Sequence, residues 1–203
     1  IAPDHLREAF WSKLSRPIRG IMYHGWGSLY PATHQGYRHT NPQTREVLKE
    51  LVETVVQPLG PALLQVPDRE TDVALLESFA AQMFAGRGSY GWSQSWEARM
   101  HLILQWAALQ PRILYDEHIV RDGLDRYKVL VMPGCDVLTA RVTDAVKAFQ
   151  RRGGIVVADE FLCPAISPDI LIPSCGDSGE AHERKAALMA AAARLRTELD
   201  PFY

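Results

Sequence analysis

The chain has 203 residues, 47% hydrophobic and 23% charged, with 24 acidic against 22 basic side chains and a formal net charge of −2. These are soluble globular values, enough for one full domain and part of another. The balanced charge gives no electrostatic case for nucleic acid or a membrane surface, and the apolar runs are too short and interrupted to span a bilayer.

In chain order, Asp4 is positioned to cap a helix over residues 4–16, with Leu6, Ala9, Phe10 and Leu14 on one face and Pro17 as its stop. Residues 18–26 (IRGIMYHGW) read as a strand carrying Tyr23, His24 and Trp26 at its C-terminal end. A loop rich in Gly, Pro, His and Tyr follows to residue 40. Asn41-Pro42 is a clean helix start, and Val47, Leu48, Leu51, Val52, Val55 and Val56 supply an apolar stripe. Pro58, Gly60, Pro61 and Pro67 then break the pattern. This places a boundary between a first domain over residues 1–67 and a second over residues 68–203.

In the second part, residues 72–78 form a strand, followed by a polar and aromatic loop to about residue 94. Ser95 caps a helix over residues 96–110, with Trp96, Met100, Ile103 and Trp106 on a shared face, and a second strand covers residues 113–115. Residues 126–161 are the clearest stretch. Val129–Met132 is a short apolar run of the kind a doubly covered parallel sheet uses. Thr139 caps a helix with Val142, Ala145, Val146 and Phe149 on one face. Gly153 and Gly154 end it, and residues 155–158 form the next strand. Strand, helix and parallel strand within about thirty residues make a βαβ unit. After a loop holding the short run at residues 170–172, a helix rich in Ala, Leu, Arg and Glu spans residues 180–199. The expected fold class is therefore α/β, a parallel sheet with helices on both faces. The first residues read as a helix already in progress, which suggests a piece of a longer polypeptide.

Several groups are candidates for chemistry. Gly86-Arg87-Gly88-Ser89-Tyr90-Gly91 matches GxGxxG, yet its strand ends near Ser78 and its helix cap falls after Gly91, the wrong placement for a pyrophosphate cradle. A Gly- and Ser-rich loop is the plainer reading. Cys135 follows the third strand, but no His has a claim to be its base, and a buried thiol is the commoner case. The three cysteines, Cys135, Cys163 and Cys175, show no CxxC pair and argue against a disulfide framework or structural zinc. His24, His34 and His39 match no metal-ligand spacing. Glu77, Asp116, Glu117, Asp159 and Glu160 sit at or near strand ends, where carboxylates either catalyse or cap helices. Tyr23, His24 and Trp26 offer either an aromatic platform for a sugar ring or a plug for a core; both readings stand.

The order of pieces resembles a known family. A helix, IRGIMYHGWGS, a loop and TNPQTREVLKELVETVV are similar to the last turn and a half of a (β/α)8 glycosidase barrel. DVALLES, KVLVMPG and RRGGIVVADEF resemble the β-galactosidase trimerisation domain of family 42 glycoside hydrolases, which is flavodoxin-like and similar to class I glutamine amidotransferases. The resemblance implies a barrel end followed by a flavodoxin-like domain, a carbohydrate substrate for the parent enzyme, a homotrimer, and no cofactor or metal. It implies that Trp26, with His24 and Tyr23 beside it, lines the sugar site. The two catalytic glutamates of such enzymes, on the fourth and seventh barrel strands, map before Ile1, so no catalytic residue is expected in this chain. The amidotransferase nucleophile stands after the fourth strand, where this chain has Asp159-Glu160-Phe161, so that chemistry is not expected. Two other classes remain: a non-catalytic interaction module, and a nucleotide-binding oxidoreductase using Gly86 to Gly91.

Overall fold

A computed structural model describes residues 2–15, 18–22, 41–67, 69–85, 96–175 and 180–202. The chain divides into two compact units, Ile1–Glu70 and Thr71–Tyr203.

Among the described residues of the first unit, the regular structure is helical. Helix α1 (Pro3–Leu14) starts on Pro3, with Ala2 in the cap position and no side-chain cap, and it buries Leu6 and Phe10. Asp4 lies in its first turn, and Ala9 is exposed. Helix α2 (Pro42–Leu51) starts as expected: the Asn41 side chain accepts from the Gln43 N–H at 2.9 Å, and Pro42 fills the first turn, where no donor is needed. Val47, Leu51 and Val55 meet Leu6 and Phe10 in a small core. Contrary to the sequence expectation, the prolines do not end this run. A π-helical segment (Val52–Val56) leads directly into α3 (Gln57–Leu63), with Pro58 in its first turn and Pro61 inside it. The widened turn directly before Pro58, where Gln57 N–H reaches the Val52 carbonyl, absorbs the mismatch that a proline ring imposes on an α-helical ladder. Phe10, Leu14, Ile18, Ile21, Leu48 and Val52 contribute to an apolar groove of about 280 Å³.

Of the strand expected over residues 18–26, residues 18–22 are described, and they are irregular. The unit has no strand among its described residues for them to pair with, and an unpaired strand leaves its backbone donors and acceptors without a ladder. Tyr23, His24 and Trp26 lie outside the described residues.

The second unit is a five-stranded parallel sheet: β1 (Val73–Glu77), β2 (Arg112–Tyr115), β3 (Val129–Met132), β4 (Ile155–Ala158) and β5 (Ile170–Leu171). The order is β2-β1-β3-β4-β5, with every adjacent pair parallel, which is the flavodoxin-like arrangement. Because successive side chains point to opposite faces, each strand feeds two cores. Val73, Leu75, Val129, Val131 and Val157 pack with α5 (Trp96–Trp106) and α8 (Ala181–Leu199), through Met100, Ile103, Leu104, Leu188 and Leu195. Ala74, Leu76, Leu130, Met132, Val156 and Ala158 pack with α6 (Asp116–Asp122) and α7 (Ala140–Arg151), through Ile119, Val142, Val146 and Phe149.

Three local expectations change. The stretch after β1 holds a short helix, α4 (Phe79–Phe84), with the Ser78 side chain accepting from Ala81 N–H. Helix α6 begins at Asp116 with no linker after β2. Helix α5 stops at Trp106 rather than Gln110, closed by Leu109 N–H donating to the Leu104 carbonyl and by Ala108 at φ 58°. Trp106 lies roughly 120° round the helix from Met100; it is outside the core at 43% exposure, and Leu104 takes the buried place beside Met100 and Ile103.

Helix α7 follows its sequence signals closely. The Thr139 side chain accepts from Val142 N–H, and Gly153, at φ 91°, takes the left-handed turn into β4. Gly154 is required for a different reason: a Cβ placed there would lie 2.4 Å from the Phe149 ring. Gly154→Ala should therefore lose about 1–3 kcal/mol of stability to overpacking, measured by urea unfolding. A midpoint equal to the parent's would show that Phe149 can yield.

Candidate functional site: the carboxyl edge of the sheet

Open α/β sheets hold ligands outside the carboxyl ends of their strands, at the point where the strand order reverses. Here that point lies between β1 and β3, and the residues that follow the strands are Ser78, Asp116, Pro133 to Asp136, and Asp159. These include the sequence candidates Cys135, Asp116 and Asp159, and the topology brings them to one edge.

Asp159, directly after β4, is 1% exposed. Its Oδ2 accepts from the Gly134 N–H and from the Trp96 indole Nε1–H, each at 2.6 Å, and its Oδ1 accepts from Phe161 N–H at 2.9 Å. Burial raises its pKa above the usual aspartate value, against the lowering effect of the three donors, and the neighbouring Glu160 charge adds to the rise. Gly134 sits at φ 61° and presents its N–H inward from the turn after β3.

Asp116 is buried at the start of α6. Its Oδ2 accepts from the Ser78 hydroxyl at 3.1 Å and from Ala80 N–H at 3.2 Å, joining the ends of β1 and β2. Glu77 accepts from the Gln82 side-chain amide at 3.0 Å. Glu160 accepts from both the backbone N–H and the hydroxyl of Ser174. Glu117 is exposed on α6. Four of the five carboxylates singled out in the sequence therefore hold loops and helix starts.

Cys135 is fully buried, with Sγ 3.5 Å from the Pro133 carbonyl. Burial pushes its thiol pKa well above the ordinary value, and Asp159, Asp116, Glu97 and Asp136 push it further in the same direction. That is the reverse of an activated nucleophile, which needs cations or a helix start to favour the thiolate. The same four carboxylates make this side of the edge inhospitable to a phosphate.

Gly86 to Gly91, Ser95, His24, His34 and His39 lie outside the described residues. Among the described residues no group of three His, Cys, Asp or Glu side chains is placed to hold a metal ion, and no helix is long and apolar enough to cross a membrane. Sequence reasoning missed the Trp96–Asp159 and Ser78–Asp116 pairings, which link residues 63 and 38 positions apart. An aspartate directly after a strand was the available signal.

No family model and no curated protein matches the chain. Among solved structures it is similar to a β-galactosidase from the psychrophilic Marinomonas ef1, with 18% identity and a TM-score of 0.48 over 75% of this chain and 24% of that one. It is also similar to Gan42B, a GH42 β-galactosidase, with 17% identity and a TM-score of 0.44 over 64% of this chain and 20% of that one. A third is a Listeria monocytogenes protein assigned as a sugar-phosphate isomerase, at 10% identity and a TM-score of 0.35, over 81% of this chain and 93% of that one. The chain spans about a quarter or less of the length of the two galactosidases.

Two outcomes follow from the geometry. With a disulfide-exchange thiol reagent, Cys163 and Cys175, both half-buried, should react in the native protein while Cys135 reacts only on unfolding. Three fast thiols would contradict the burial of Cys135. The second concerns Asp159. Its folded pKa is raised, so the stability that its proton contributes is whole below about pH 3.9 and is lost as pH rises through the folded value. The unfolding free energy of the parent minus that of Asp159→Asn should therefore fall with rising pH across that window. A difference independent of pH would remove the assignment.

Proposed function

We propose that this chain is part of a β-galactosidase-like glycoside hydrolase, supplying one wall of the sugar site from its first unit and an assembly domain from its second. The single observation that carries the reading is the flavodoxin-like strand order 2-1-3-4-5, found over the residues whose motifs resemble the family 42 trimerisation domain. The hydrogen-bonded carboxylates described at its carboxyl edge support a non-catalytic role for that domain. Asp159, Asp116, Glu77 and Glu160 each accept hydrogen bonds from fixed donors, and Cys135 is buried as a thiol. Uncovered apolar side chains on α4, namely Phe79, Met83 and Phe84, support self-association.

For the first unit, the apolar groove beside α1 and α2 suits an outer helix layer that rests on barrel strands. In this reading Trp26 stacks against a sugar ring, His24 and Tyr23 stand beside it, and the two catalytic glutamates belong to the parent outside these residues. Hydrolysis by the parent then uses that carboxyl pair with retention of configuration.

The purified 203-residue protein should show no turnover of an aryl β-galactoside and should sediment as a trimer. Measurable turnover would overturn the assignment of catalysis to residues outside the chain. A monomer at all concentrations would overturn the assembly role.

A further inference from the structure

We draw no further inference here: the strongest candidate, the exposed apolar surface of Phe79, Met83 and Phe84 on α4, carries nothing because nothing in the structure shows what covers it.

Discussion

A parallel sheet has no face that can be left wet, and that constraint organises the second unit. Because side chains alternate along each strand, Leu75, Val131 and Val157 go to the α5–α8 side, while Leu76, Leu130, Met132 and Val156 go to the α6–α7 side. Apart from Glu77 at the end of β1 and Arg112 and Tyr115 on the edge strand β2, no strand position carries a polar residue. Polar groups therefore collect at the strand ends, and β1 to β4 all end at the same edge. What those groups do there decides whether the edge is a site or a seal.

Among the described residues most of them are bonded to donors of the protein itself. Asp159 and Asp116 are each buried: Asp159 accepts through both oxygens, and Asp116 through Oδ2, from donors of neighbouring segments. The arrangement fixes the start of α5 against β3 and β4, and the start of α4 against α6. The cysteine that occupies the turn after β3 is held as a neutral thiol among carboxylates. A fold whose open edge commonly binds ligands here has that edge crossed, among the described residues, by hydrogen bonds of its own side chains.

Much of this architecture is legible in the sequence, for identifiable reasons. Strands β1, β3 and β4 are uninterrupted apolar runs bounded by turn residues, and α2 and α7 carry cap residues that make the bonds expected of them, through Asn41 and Thr139. Helices α4 and α6 are six and seven residues long, too short to show a periodic stripe, although Ser78 was a readable cap. The prolines at 58 and 61 misled because a proline's effect depends on the register around it, and the π turn at residues 52–56 is invisible in composition. Trp106 misled because it is apolar, although at 3.6 residues per turn it lies roughly 120° round the helix from Met100, off the face of Met100, Ile103 and Leu104. The edge network was out of reach for another reason. Strand-end carboxylates look alike in sequence whether they face a substrate or a backbone N–H, and only tertiary placement separates the two.

Phe149 and Gly154 carry a consequence beyond their own segment. The ring occupies the volume that any side chain at 154 would need, and it does so from the last turn of α7, across the hinge into β4. The two positions therefore behave as a lock-and-shim pair whose permitted residues are conditional on each other. A leaner side chain at 149 opens room for a methyl at 154, and neither change is interpretable alone. Substitutions at this βαβ corner are consequently coupled rather than independent, and the cost of either depends on which residue already stands at the other.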